Sequence, residues 1–208
     1  MANTVVDFII VFLISYLLGS ISTSILLSKI KTGKDIRDFG SGNAGATNTL
    51  RTLGKGAAVI VLLGDMLKAV ISILIAKAIL NEQLAVYVAS IGVVLGHNFP
   101  VYFGFKGGKG VAVSAVACLF ADWRIGVFVI ILSLLIMITT KYVSLGSIIG
   151  AILTFLLGFI FRGVDIPYII FSIIIGGLAI IMHRKNIARL LNGNENKLSF
   201  SKGGKQNG

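Results

Sequence analysis

Runs of apolar residues, most of them close to the length of a bilayer crossing, alternate along this chain with short polar turns. Val5 to Leu27 is the first run, followed by Ala57 to Leu80 and Leu84 to Phe103. A short run from Val111 to Ala121 comes next, then Ile125 to Thr140, Val143 to Phe161 and Ile166 to Met182. A spanning helix takes about 20 residues. The pattern therefore predicts an all-α polytopic membrane protein with seven transmembrane helices. Residues 1–197 are expected to form one transmembrane domain, and 198–208, basic and rich in Gly and Ser, a disordered tail. The first run is not expected to be a cleaved signal peptide, because no Lys or Arg precedes Lys29.

Composition supports the membrane assignment and removes the soluble alternative. Of 208 residues, 56% are hydrophobic and only 13% charged. A soluble domain is typically about half apolar and a quarter charged. The single Cys118 excludes an internal disulfide framework and a cysteine metal cluster. The net charge of +11 raises the question of nucleic acid. The basic residues are spread over short loops between apolar runs, where topology and anionic ligands account for them, so no nucleic-acid partner is expected.

The short run decides the topology. Eleven residues reach about 16 Å, half a hydrocarbon core, so Val111 to Ala121 is either a span of its own or the start of the next one. Positive-inside counting separates the two. With seven spans, and setting aside Lys68 and Lys77 within the second run, fifteen basic residues fall on one side and two, Arg124 and Arg162, on the other. With six spans the asymmetry nearly vanishes. Seven spans place the N-terminus outside and the C-terminus in the cytoplasm.

This topology gathers three polar segments on the cytoplasmic side. They are Lys34 to Arg51, Gly96 to Gly110 and His183 to Lys197. All three are rich in residues that bind phosphate: Gly admits close backbone approach and anion nests, Ser, Thr and Asn add neutral donors, and Lys and Arg add charge. The Lys-Gly-Gly-Lys-Gly string at 106–110 opens a helix whose positive dipole end would face the same region. It is not a P-loop, since Phe103 stands where the first Gly belongs and Gly110 replaces Ser/Thr.

Three strings carry a specific resemblance: Gly-Ser-Gly-Asn-Ala-Gly-Ala-Thr-Asn at 40–48, Gly-His-Asn-Phe-Pro with Phe-Lys-Gly-Gly-Lys-Gly-Val-Ala at 96–112, and His-x-x-Asn-Ile-x-Arg-Leu at 183–190. With Gly19-Ser20, Asp65-x-x-Lys68 and Tyr142-Val-Ser-Leu, the chain resembles the bacterial acyl-phosphate:glycerol-3-phosphate acyltransferase family from the first helix to about Lys197. It departs from the family pattern at Lys141, where Arg is expected; charge is kept but bidentate geometry is lost. The resemblance implies an enzyme of the bacterial plasma membrane, with its active site at the cytoplasmic face. Its partners would be glycerol 3-phosphate, fatty acyl phosphate and membrane lipid, and it would be linked functionally to the soluble enzyme that makes acyl phosphate. The products would be lysophosphatidic acid and inorganic phosphate, and residues 1–197 would be one catalytic domain.

Such chemistry needs two anion pockets at a membrane surface. Phosphate is a good leaving group, so no covalent protein nucleophile is required, and no Ser-His-Asp order is evident. The His-x4-Asp pattern of acyl-CoA-dependent glycerolipid acyltransferases is absent: Tyr102 follows His97 at that spacing and Ala188 follows His183. Gly107, Gly108, Lys109 and Gly110, with Ser41, Asn43 and Thr47, are expected to cradle the acyl-phosphate phosphoryl group, and Asn48 is expected to bind substrate. Arg51, Lys106, His183 and Asn186 are expected to hold glycerol 3-phosphate; Lys106 and Lys109 divide between the two pockets in either order. Ser144 would donate to either substrate. Backbone N–H groups and Lys109 would stabilise the oxyanion. The base is His97, His183 or the donor's own phosphate oxygen. Asp65 and Lys68, three apart on one helix face, are expected to form an internal ion pair. Neither a cofactor nor a dedicated metal site is expected. The alternative reading is a transporter of a phosphorylated small molecule, which would bind nearer the bilayer midplane.

The topology is testable by cysteine labelling at Ala2 and Lys205 in intact cells, in a Cys118→Ser background. The two positions should react from opposite sides. Labelling of both from the same side would refute an odd number of spans.

Overall fold

The computed structural model describes residues 4–198. Those residues form ten α-helices and no strand: α1 Val5–Gly19, α2 Thr23–Thr32, α3 Ala46–Leu53, α4 Lys55–Ile79, α5 Gln83–Asn98, α6 Val111–Ala121, α7 Trp123–Thr140, α8 Val143–Arg162, α9 Ile166–Met182 and α10 Arg184–Leu191. Five helical stretches are long and apolar enough to cross a membrane, the first being α1 and α2 together. The α9–α10 pair meets the same test but bends by 60° at His183. The expectation for the 198–208 tail falls, after Leu198, outside the described residues.

Two boundaries differ from those expected. The first run is a broken helix: α1 stops at Gly19, three residues intervene, and α2 continues to Thr32. Ser20 causes part of the break. Its hydroxyl donates back to the Tyr16 carbonyl (2.8 Å), which also keeps the Ser20 N–H (2.9 Å), and accepts from the Val101 N–H (3.3 Å); such back-bonding bends helices. The third run ends at Asn98 because Pro100 supplies no N–H and disfavours α geometry before it. A single 3-10 turn, Val101–Phe103, follows.

The tightest packing is between α1 and α5, where glycines let two backbones meet. A Cβ on Gly92 would lie 2.8 Å from the Phe12 carbonyl oxygen, and one on Gly96 would lie 2.8 Å from the Ser20 N and closer still to the Tyr16 oxygen. This is a small-xxx-small contact, the usual means of close approach between helices in lipid. Around it lies the main core, with Val93, Ile73 and Phe171 fully buried. Tyr87 stacks on Phe171 with ring centroids 5.1 Å apart. Outward-facing Leu63, Leu67, Ile131 and Ile138 are more than half exposed, as lipid-facing positions would be.

The loops collect at two ends. At one end, Gln83 Nε2 donates to the Ala121 carbonyl (3.0 Å), and Arg162 bridges Asp122 (3.3 Å) and Asp165 (2.5 Å). Both arginines of this end, Arg124 and Arg162, are thereby paired with carboxylates. At the other end, Arg37 Nη1 donates to the carbonyls of Phe103 (2.8 Å) and Lys106 (2.9 Å), and Leu198 N–H donates to Lys141 O (2.7 Å). Short as it is, α6 runs from the second group of loops to the first.

Gly96→Ala should lower the thermal unfolding midpoint in detergent markedly, since overpacking typically costs about 1–3 kcal/mol and here the obstruction is backbone. Gly177→Ala is the control, because a Cβ there meets nothing within 4 Å. Equal midpoints for the two variants would contradict the proposed α1–α5 contact.

Candidate functional site

The loop end encloses a cavity of about 380 Å³. Its wall contains Ser41, Asn43, Thr47, Asn48, Arg51, His97, Lys109, Gly110, Ser144, His183 and Asn186. Three residues expected at the site do not line it: Lys106, Gly107 and Gly108. Lys106 contributes its backbone carbonyl to Arg37, while its side chain is exposed. Gly107 and Gly108 lie behind the wall, packed on His97 and Ala44.

Each polar segment is held by its own local bonds. Asn48, 1% exposed, locks the first loop: Nδ2 donates to the carbonyls of Ile36 (3.1 Å) and Phe39 (3.0 Å), and Oδ1 accepts from the Ser41 N–H (2.8 Å). Its amide is spent on shaping the loop that presents Ser41, Asn43 and Thr47. Arg37, paired with Asp35 at 2.8 Å, clamps that loop to the glycine loop. In the glycine loop the left-handed conformation falls at Gly110, φ +77°, which starts α6. Gly108 is required for a different reason, close approach: a Cβ there would lie 2.7 Å from the Ala44 oxygen and overlap His97 Nε2.

The third segment is organised by Glu195, whose side chain is 5% exposed. Oε1 accepts from Ser144 Oγ (2.8 Å) and Asn186 Nδ2 (2.6 Å), and Oε2 accepts from Arg189 Nε (2.7 Å). Asn186 Oδ1 in turn accepts from Lys109 Nζ at 2.5 Å. One carboxylate thus joins the start of α8, both turns of α10 and, through Asn186, the glycine loop. Arg51 also lines the cavity, and its guanidinium makes no hydrogen bond or ion pair among the described residues. It is the free cation of the wall.

Burial sets the charges. Lys109 is pulled down to about 8 by burial, against the opposing attraction of Glu195 and with added repulsion from Arg189 and Arg51. Burial likewise holds His183 down to about 4, so its ring is neutral at pH 7. His183 Nδ1 lies 2.7 Å from the Ala179 carbonyl, which can only accept. Nδ1 therefore carries the proton, and Nε2 keeps a lone pair. Burial opposes the charge of Glu195, yet hydrogen bonds from Asn186, Arg189 and Ser144 keep its carboxyl below the usual range. The arrangement can bind anions and offer one neutral imidazole acceptor; its carboxylate is too well satisfied to be a strong base.

Asp65 and Lys68 form the expected ion pair at 3.0 Å, and His97 joins them, with Nδ1 2.9 Å from Lys68 Nζ. Arg37, Glu195 and the link from Lys68 to His97 are the functional contacts that spacing alone missed. The signals available were an arginine flanked by two aspartates, and a lone glutamate in a basic segment.

The glycerol-3-phosphate acyltransferase family model matches residues 9–193. A glycerol-3-phosphate acyltransferase of Thermoanaerobacter pseudethanolicus is 45% identical over 186 residues, covering 89% of this chain and 93% of that protein. One of Clostridioides difficile is 43% identical over 201 residues, covering 94% and 98% respectively. The crystal structure of PlsY (YgiH), an integral membrane glycerol 3-phosphate acyltransferase, in its glycerol 3-phosphate form, is similar with a TM-score of 0.85 at 39% identity, over 92% of this chain and 96% of that one. The lysophosphatidic acid form gives 0.80 at 37% identity, over 93% and 96%.

The lowered Lys109 value predicts a pH dependence. The ammonium is charged below about 8 and is lost as pH rises through that value. Affinity for sulfate, whose own charge is constant over this range, should therefore fall between pH 7 and 9 in calorimetric titrations. Lys109→Arg, always charged, should flatten the fall. An equal fall in both proteins would place the titrating group elsewhere.

Proposed function

The chain belongs to the glycerol-3-phosphate acyltransferase family, and from that premise we propose that it moves a fatty acyl group from acyl phosphate to the first hydroxyl of glycerol 3-phosphate. The products are lysophosphatidic acid and inorganic phosphate. The observation that carries the donor assignment is the continuity of the polar cavity with an apolar slot of about 130 Å³ between α6, α7, α8 and α9. The two share Val111, Ala115, Ile130, Leu134, Met137 and Ser147, and the slot continues to Cys118 and Thr154. Along α6 that is seven residues, or about 10 Å of helix rise. A molecule with a phosphate head and an alkyl tail fits this pairing of surfaces. The glycerol 3-phosphate and lysophosphatidic acid forms of PlsY support the acceptor and the product.

In this reading the protein spans the bacterial inner membrane seven times, with its N-terminus outside and the cavity at the cytoplasmic face. The passage of α6 between the two groups of loops supports counting it as a span. The soluble enzyme that makes acyl phosphate is then its metabolic neighbour.

The hydroxyl of glycerol 3-phosphate attacks the carbonyl carbon. The bond from that carbon to the bridging oxygen breaks, and the phosphate leaves with the electron pair. Lys109 and the N–H groups at the start of α6 face the developing negative charge; one such donor is typically worth about 10²–10³ in rate. Arg51, with Ser41, Asn43 and Thr47, receives a phosphate. The proton of the hydroxyl has two candidate acceptors. His183 Nε2, near 4, is weaker than a phosphate oxygen, whose second pKa is about 6 in related esters. The leaving phosphate therefore takes the proton, and His183 orients the hydroxyl by accepting its hydrogen bond. A transporter would place its ligand near the midplane, whereas here Arg51, Lys109 and Arg189 line a cavity at the loop end.

Purified protein in detergent should release inorganic phosphate only when acyl phosphate and glycerol 3-phosphate are both present. Acyl-CoA and acyl carrier protein should not replace acyl phosphate. Turnover with acyl-CoA at a comparable rate would overturn the donor assignment, and no turnover with any donor would favour transport.

A further inference from the structure

A buried cluster that the proposed reaction has not used reaches the cavity wall through Asp65 and His97, with Lys68 behind them. Asp65 and Lys68 on α4 and His97 near the end of α5 are 3%, 7% and 7% exposed. Lys68 Nζ contacts the Ile21 carbonyl (2.8 Å), His97 Nδ1 (2.9 Å) and Asp65 Oδ1 (3.0 Å). An ammonium has three protons and no lone pair; two of these contacts, to Ile21 and His97, are hydrogen bonds, and Asp65 stands beside it as an ion pair. The Ile21 carbonyl is available because the helix breaks between α1 and α2. Asp65 supplies the countercharge from the next turn of the same helix face.

The consequence falls on His97. Lys68 can only donate, so Nδ1 must accept. A neutral ring that accepts at Nδ1 carries its proton at Nε2. The Asp65 carboxylate lies farther from Nδ1, at 3.5 Å, and does not replace Lys68 as its partner. The ring lines the cavity, and a Cβ on Gly108 would overlap Nε2. Among the described residues, no hydrogen bond engages that N–H.

We propose that Lys68 and Asp65 are positioning residues that hold His97 as a neutral, Nε2-protonated ring, making it a fixed N–H donor to a substrate anion rather than a base. The proposal rests on the acyl-transfer reading only for the identity of that anion. The two histidines of the chain then have opposite tautomers: His183 offers a lone pair to the cavity and His97 offers a proton. The same logic explains the bare glycine at 108, since a side chain there would displace the donor.

The test uses the full chain labelled with ¹⁵N-histidine, whose spectrum contains only His97 and His183. At neutral pH, His97 should show a protonated Nε2 and a bare Nδ1, with His183 reversed. His97→Gln assigns the signals. In Lys68→Met, or in Asp65→Asn/Lys68→Met should the single variant fail to fold, His97 should become a mixture of tautomers. An Nδ1-protonated ring or an imidazolium in the native protein, or an unchanged tautomer in the variants, would overturn the proposal. Turnover gives a second readout. An amide can donate but cannot act as a base, so His97→Gln should keep activity within about tenfold, whereas loss of a general base typically costs about 10²–10⁴. A loss in that larger range would return His97 to the base role. If the native protein transfers no acyl group at all, the functional reading fails, while the tautomer result still decides whether the cluster is arranged as proposed.

Discussion

The cavity brings Arg51, Lys109 and Arg189 together in one wall, and that positive charge must be held in place before anything binds. Glu195 does this. Its side chain, 5% exposed, receives hydrogen bonds from Ser144, Asn186 and Arg189, and reaches Lys109 through Asn186. Removing that carboxylate would leave Lys109, Arg51 and Arg189 facing one another without a countercharge. The same contacts fold the segment after α10 back over the cavity, where Leu198 bonds to Lys141. Cavity shape, Lys109 position and the path of the last described residues thus all follow from one side chain.

The apolar part of the molecule answers a different constraint. Lipid offers no hydrogen-bond partners, so backbone groups must be satisfied internally, and irregular chain belongs at the ends or against protein. The break between α1 and α2 obeys this rule. Lys68 takes up the Ile21 carbonyl at the break, and the Gly92–Gly96 face of α5 packs directly over it. The break in turn supplies the carbonyl that fixes Lys68, and through it His97. A defect in one helix therefore becomes part of the support of the site, about 29 residues of sequence separating Lys68 from the ring it orients.

The long apolar runs were legible because hydrophobic length is a local property. The three polar strings, rich in residue types that bind phosphate, were legible because their composition is local too. What sequence reading could not show was contact between distant segments. Glu195 reads as a lone acid in a basic tail, since Ser144 lies 51 residues away. Arg37 reads as a topology charge, yet it clamps carbonyls 66 and 69 residues on. Lys106 and Lys109 look equivalent on paper, but the turn between them puts only Lys109 in the cavity. The break at Ser20 had a local signal, the Gly19-Ser20 pair, of the kind that kinks helices. It was hidden because hydrophobic periodicity continues through it.

The proposed reaction works by charge and position, with the acyl group passing directly between substrates. Its strongest internal rival is Ser144, whose hydroxyl points at a carboxylate and lines the cavity. That carboxylate also serves Asn186 and Arg189 and sits below its usual proton affinity, which makes it a poor base for a serine nucleophile. Cys118 is buried beside Thr154 within the bundle, away from the anion groups. Rapid mixing of excess acyl phosphate with the protein, without glycerol 3-phosphate, separates direct transfer from an acyl-enzyme. Direct transfer predicts no burst of inorganic phosphate; a burst of one phosphate per protein would contradict it.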